Sequence, residues 1–179
     1  AAKYRIFRWA VGVGDQVARL REEGREPGGL LAARYRVADR LVFAKLRARF
    51  GDRLKFFVSG SAPLAPEIGR FFYGAGITIL EGYGLTETSA GAFLNRPGDV
   101  RFGSVGLPLP GTEVRIAEDG EVLLRGGSVM RGYHNLSGAT QEVLDEDGWF
   151  ATGDIGALEN GRLRITDRKK ELIKTSGGK

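Results

Sequence analysis

The sequence predicts an α/β fold: a partial parallel sheet with flanking helices, followed by a small antiparallel β-barrel-like subdomain. Three observations carry this. Two short apolar runs, Leu54–Val58 and Ile77–Leu80, flank a segment that opens on Pro66 and closes on Gly74 and Gly76. Pro suits the first turn of a helix and Gly its end, so the order reads strand, helix, strand, with a right-handed crossover between parallel strands. Beyond about residue 100 the apolar runs shorten and turn residues multiply. Finally, Asp119-Gly120 and Asn160-Gly161 separate such runs, and these dipeptides supply the positive φ that tight hairpins need.

Each element follows from its pattern. Residues 3–23 place Phe7, Ala10, Val11, Val17 and Leu20 on helical spacing, although Gly12 and Gly14 weaken a helix there. Gly24 to Gly29, with Pro27, reads as a loop. Residues 31–50 predict a helix whose stripe is Val37, Ala38, Leu41, Val42 and Leu46, with Arg and Lys opposite. Leu54–Val58, bounded by Gly51-Asp52 and Ser59-Gly60, reads as a buried strand. Thr112–Ala117 and Glu121–Arg125 form one hairpin, Ile155–Glu159 and Arg162–Thr166 another, with a helix over Gly138–Leu144 between them.

Composition sets outer limits. The 42% apolar and 27% charged fractions are those of a globular chain with a core. With no cysteine, disulfides and thiolate metal sites are excluded. No run approaches the ~20 apolar residues that span a bilayer. The net charge of +5 is uneven: residues 1–53 hold 13 Lys and Arg against 6 Asp and Glu. Solvated helix faces explain most of that excess. It also fits peripheral contact with an anionic membrane surface. The aromatic residues do not interleave with these charges in a stacking pattern, so nucleic acid is not expected as a partner.

Most of the chemistry is packed into Glu81-Gly82-Tyr83-Gly84-Leu85-Thr86-Glu87-Thr88. Gly82 and Gly84 let backbone approach a ligand closely. Tyr83 offers a flat face to a planar ring, Thr86 a hydroxyl to an oxyanion, and Glu87 a hard oxygen ligand suited to Mg²⁺. Ring, phosphate and cation together describe a metal–nucleotide site; a glycine-rich turn whose polar groups only cap backbone is the alternative. Ligands in open α/β sheets sit beyond the carboxyl ends of strands. Ser59–Pro63 follows the first strand and Glu81–Thr88 the second.

Gly-Tyr-Gly-Leu-Thr-Glu resembles the central motif of the adenylate-forming superfamily of acyl-CoA synthetases, luciferases and peptide-synthetase adenylation domains. Four more segments resemble that family's motifs in its order. They are Ser59-Gly60-Ser61-Ala62-Pro63; Gly120-Glu121-Val122-Leu123 with Arg131-Gly132-Tyr133; Gly148-Trp149-Phe150-Ala151-Thr152-Gly153-Asp154; and Asp167-Arg168-Lys169-Lys170-Glu171-Leu172-Ile173-Lys174 with Ser176-Gly177-Gly178-Lys179. The first and last motifs read most like long-chain fatty acyl-CoA synthetases.

The resemblance implies a long-chain fatty acid–CoA ligase working in the cytoplasm, against membrane in a peripheral way, with fatty acid, ATP and CoA as substrates and Mg²⁺ as cofactor. A carboxylate attacks the α-phosphate of ATP, and CoA sulfur then displaces AMP. Gly60, Ser61 and Ala62 would line the adenine and Tyr83 would stack on it. Thr86 would bond the α-phosphate, Glu87 hold Mg²⁺, and Asp154 and Arg168 the ribose hydroxyls. Lys170 would be the hinge, with Gly177 and Gly178 beside the CoA channel and Lys174 matching a lysine of some relatives. Trp149 and Phe150 read as core and His134 as a surface residue. On this basis residues 1–100 form part of the α/β subdomain, 101–166 the barrel-like subdomain and 167–179 the hinge. The family's phosphate loop and terminal lysine have no counterpart, so the chain is expected to be an inactive piece of the enzyme. Another acyl- or aryl-acid ligase, or a non-catalytic adenine-nucleotide module, are the alternatives.

Overall fold

The computed structural model describes residues 2–51 and 53–169. Lys170, Lys174, Gly177 and Gly178 lie outside the described residues. The chain divides into two compact units, Ala1–Leu80 with Arg96–Gly103, and Glu81–Asn95 with Ser104–Lys179.

In the first unit, α1 (Ala2–Glu22), α2 (Gly29–Ala38), a π turn (Asp39–Phe43) and α3 (Ala44–Arg47) precede β1 (Phe57–Ser59), α4 (Pro66–Gly74) and the start of β2 (Ile79–Tyr83). The predicted strand–helix–strand unit is present, and β1 and β2 are neighbours in the sheet. Its core is Ala10, Val13, Ala38, Phe43 and Ala75. Gly14 serves packing here: a Cβ on it would stand 2.9 Å from Phe43 Cζ, and one on Gly74 would stand 2.4 Å from the Gly14 carbonyl oxygen. The glycine that weakens α1 by propensity thus lets α4 approach it.

Two expectations are corrected here. The 31–50 helix forms as a run from Gly29 to Arg47, but a π turn over Asp39–Phe43 inside it rotates the face that follows, and its apolar stripe differs from the expected one. Ala38, Val42 and Leu46 pack against the core, but Val37 and Leu41 stay exposed. Leu54–Val58 is not a buried strand: β1 begins at Phe57, and Val58 is 61% exposed. Among the described residues β1 pairs with β2 alone, and Leu54, Phe56, Phe57 and Val58 all stay exposed.

In the second unit, the end of β2 pairs antiparallel with β3 (Phe93–Leu94), and β3 with β4 (Leu107–Pro108). An antiparallel sheet follows in the order β5 (Thr112–Ile116), β6 (Glu121–Gly126), β7 (Phe150–Glu159), β8 (Arg162–Arg168), with α5 (Ser137–Val143) between β6 and β7. Hydrogen bonds from Val105 N–H to the Leu163 carbonyl and from Leu163 N–H to the Gly106 carbonyl join β8 to the chain entering β4. The curled sheet closes over Ala92, Phe93, Val122, Leu124 and Leu163. Both predicted hairpin turns form, with Gly120, Asn160 and Gly161 at positive φ. Strand β7 begins at Phe150, five residues before the predicted start, so the Trp149–Asp154 motif enters the sheet. Phe150 is core at 2% exposure. The guanidinium groups of Arg115 and Arg125 both lie over the Trp149 ring, at 4.7 and 4.6 Å from its centroid. Among the described residues, no helix is long and apolar enough to cross a membrane.

Candidate active site

Tyr83 ends β2, and its ring packs 6.4 Å from that of Phe93. From there its hydroxyl reaches Asp154 on β7 and donates to Oδ2 at 2.6 Å. Arg168 is the register partner of Asp154 across β7 and β8, and its Nε donates to Oδ1 at 3.1 Å. The Asp154 side chain is 5% exposed and Arg168 66% exposed, so the arginine lies across the carboxylate from the solvent side. Burial, then the hydrogen bond to Asp154, pushes the Tyr83 phenol well above its usual range. Tyr83 is therefore a neutral donor at ordinary pH.

Asp154 is set from beneath. Its N–H donates to Thr152 Oγ1, whose hydroxyl donates to the Val122 carbonyl at 2.8 Å. The Gly153 N–H donates to Glu121 Oε1, and Lys169 Nζ donates to Glu121 Oε2 at 2.6 Å. Lys169 also pairs with Asp119 at 2.6 Å. The Lys169 ammonium holds the Asp119 carboxyl below the usual carboxylate range, and Asp119 and Glu121 raise Lys169 in return.

The Thr86–Thr88 segment is a 3₁₀ turn. The Thr88 hydroxyl accepts the Leu85 N–H at 2.9 Å, so Thr88 rather than Thr86 caps the turn. Thr86 is exposed. Gly84 is required on steric grounds, since a Cβ on it would stand 2.1 Å from the Ala90 carbonyl oxygen. The loop then runs through Ser89 and Ala90 at φ 54° and 78°, a conformation that non-glycine residues hold at a cost and that clusters at ligand sites. Glu87 Oε1 accepts the Tyr133 hydroxyl at 2.8 Å, and its carbonyl accepts the Met130 N–H at 2.7 Å. The hydrogen bond to Glu87, then burial, raises the Tyr133 phenol.

The structure therefore brings Tyr83, Asp154 and Arg168 into one cluster, and holds Gly82, Gly84, Thr86 and Glu87 on the segment leading out of β2. Gly60, Ser61 and Ala62 belong to the first unit, where they form an exposed turn after β1 with Ser61 at φ 68°. His134 is exposed, as expected. Sequence reasoning missed Tyr133 as the partner of Glu87, and Lys169 and Glu121 as the support of Gly153. Tyr133 and Glu87 are 46 positions apart, and no spacing rule links residues at that range.

Donor chemistry at Glu87 fits Mg²⁺. Tyr133 occupies one carboxylate oxygen, and among the described residues the other is left for a hard cation. Among the described residues, no cluster of three or more His, Cys, Asp or Glu side chains could cage a metal. One carboxylate is what a magnesium site needs when nucleotide phosphates and water supply the other ligands.

Residues 9–134 match the family model described as AMP-binding enzyme. A long-chain-fatty-acid–CoA ligase of Mycobacterium bovis is 50% identical over all of this chain, which covers 30% of that protein. MatB of Rhodopseudomonas palustris, solved with ATP bound, superposes with a TM-score of 0.59 at 34% identity, over 65% of this chain and 26% of its own. A malonyl-CoA ligase solved with methylmalonyl-CoA and AMP gives a TM-score of 0.58 at 35% identity, over 74% of this chain and 32% of its own. The chain thus spans about a third or less of each of these proteins.

Proposed function

Because the chain belongs to the family of AMP-binding enzymes, we propose that it supplies the nucleotide-gripping part of an AMP-forming long-chain fatty acid–CoA ligase. The fatty acid carboxylate attacks the α-phosphorus of ATP and pyrophosphate leaves, and CoA sulfur then attacks the acyl carbon and AMP leaves. Both steps depend on positioning and charge stabilisation more than on a side-chain nucleophile. Mg²⁺, when bound with the nucleotide, offsets charge on the phosphates.

In this reading Tyr83 stacks on the adenine and Asp154 accepts the ribose hydroxyls. An ionised carboxylate has about four acceptor positions, so Asp154 can keep Tyr83 and still receive the ribose once Arg168 swings outward. Arg168 then closes on the same hydroxyls. Thr86, exposed and uncommitted to capping, bonds the α-phosphate; Glu87 serves the cation. The observation that carries the reading is the meeting of Tyr83, Asp154 and Arg168 at hydrogen-bond distance.

Titrating the chain with ATP tests this. Saturable binding at one site is expected, with AMP competing and GTP competing at least tenfold more weakly. Absence of saturable ATP binding overturns the reading. The finer assignments are a cytoplasmic enzyme of lipid metabolism that works at a membrane surface; the last of these draws support from the exposed Tyr4, Phe7 and Trp9 among Lys3, Arg5 and Arg8 on α1. Salt-sensitive sedimentation with anionic vesicles is the matching measurement.

A further inference from the structure

We propose that Tyr133 is a positioning residue for Glu87: its hydroxyl, donating to Oε1 at 2.8 Å, sets the carboxylate so that Oε2 meets the Mg²⁺ that accompanies a nucleotide. This rests on the nucleotide reading of the site given above. It gives a task to the Arg131-Gly132-Tyr133 segment, which that reading leaves without one.

The attachment between the two segments is double. Besides the phenol, the Met130 N–H donates to the Glu87 carbonyl at 2.7 Å, so residues 130–133 hold both backbone and side chain of Glu87. Tyr133 is itself anchored: its N–H donates to Thr140 Oγ1 at 2.9 Å, and the Thr140 hydroxyl donates to the Leu136 carbonyl at 2.9 Å. No side chain fits between them, because a Cβ on Gly132 would stand 2.8 Å from Thr140 Cγ2. The chain of contacts runs from α5 through Tyr133 to Glu87.

A phenol suits this task for two reasons. Mg²⁺ demands near-ideal octahedral geometry, and a donor on one oxygen fixes the carboxylate plane and disfavours bidentate binding. A neutral donor also leaves the carboxylate its full charge. Among the described residues no Lys or Arg pairs with Glu87, so nothing cationic competes with the metal. Partners that orient a ligand in this way typically change metal affinity by 10–100-fold.

Calorimetric titration of the chain with ATP, with Mg²⁺ present and with metal removed, separates the possibilities. Wild type is expected to bind ATP more tightly with Mg²⁺. Tyr133→Phe should reduce that gain about tenfold, while metal-free affinity moves less than twofold. Glu87→Gln should abolish the gain, and adding Tyr133→Phe to it should change nothing further. Thr140→Val should lower the gain and Thr140→Ser retain it, a pair that decides the matter even if Tyr133→Phe folds poorly. Equal loss with and without metal in Tyr133→Phe, an undiminished gain, or an additional loss on top of Glu87→Gln would each overturn the proposal. Wild-type binding that ignores Mg²⁺ defeats this inference alone. No ATP binding by wild type defeats the nucleotide reading, and this inference with it.

Discussion

Among the described residues, the buried side chains of the first unit are all apolar: Ala10, Val13, Val17, Phe43 and Leu80 are typical. In the second unit the buried set also includes Glu81, Thr88, Asn95, Glu121 and Asp154. Burying a polar or charged group is unfavourable unless its partners are built in. The second unit builds them: Asp154 has Tyr83 and Arg168, Glu121 has the Gly153 N–H and Lys169, and Thr88 has the Leu85 backbone. In the first unit the ion pairs stay part-buried, Arg47 with Asp39 and Arg70 with Glu22, around a wholly apolar core. The second keeps fixed acceptors and donors out of water, which is the condition for gripping a polar ligand with little reorganisation.

The largest expected effect tests the apolar half of this contrast. Phe43 is 1% exposed and packs beside Tyr35 and Gly14. Phe43→Ala should cost about 4 kcal/mol of stability through lost burial and an unfilled cavity, read as a drop in the urea midpoint. A midpoint equal to wild type would mean that the first unit is not held by this core.

Next comes the polar half. Asp154→Asn keeps the volume but removes the charge that Arg168 and the ribose hydroxyls would share. The loss of two charge-assisted hydrogen bonds, each about 1.5 kcal/mol, predicts ATP affinity lowered about hundredfold. Unchanged affinity in the same titration would remove Asp154 from the site and leave its burial a matter of folding alone.

A pair of glycines sharpens the comparison at smaller magnitude. Gly84→Ala forces a methyl against the Ala90 backbone and should cost about 2 kcal/mol. A Cβ on Gly12, in α1, would meet nothing within 4 Å, and Gly12→Ala should stabilise by about 0.8 kcal/mol through helix propensity. Thermal melts of both should move in opposite directions. The sequence puts Gly12 in a helical pattern and Gly84 in a polar loop, but it does not tell which of the two a neighbouring backbone crowds.

That pair also marks what could be read without coordinates. Local chemistry was legible: Asp119-Gly120 and Asn160-Gly161 dictate their turns, and Pro66 dictates where α4 starts. Periodicity was only partly so. Of the Val37–Leu46 stripe, Ala38, Val42 and Leu46 reach the core while Val37 and Leu41 do not, and nothing in residues 39–43 announces the π turn that lies between them. Candidate site residues were legible as motifs, each within a few neighbours. Their mutual arrangement was not, because Tyr83 meets Asp154 across 71 positions and Tyr133 meets Glu87 across 46, and only strand pairing and loop docking create those contacts.

The smallest predicted effect is the pH response of the Lys169 cluster that supports Gly153. Lys169 holds the Asp119 carboxyl below its unfolded value. A carboxyl lowered in the folded state contributes stability that is complete above the ordinary carboxylate range and lost as pH falls through the folded value. Lys169 is raised by Asp119 and Glu121, so its contribution is complete below the ordinary lysine value of about 10.4 and is lost as pH rises above it. Both limbs are shallow, because Asp119 and Lys169 are about half exposed and screened by salt. Urea midpoints of wild type and Lys169→Met should therefore differ on the plateau between these limits and converge toward both ends, the acid convergence setting in below about pH 4. Midpoints that run parallel across the whole range would show that Lys169 supports β8 by packing alone, and that the second unit owes less to its charges than the contrast with the first unit implies.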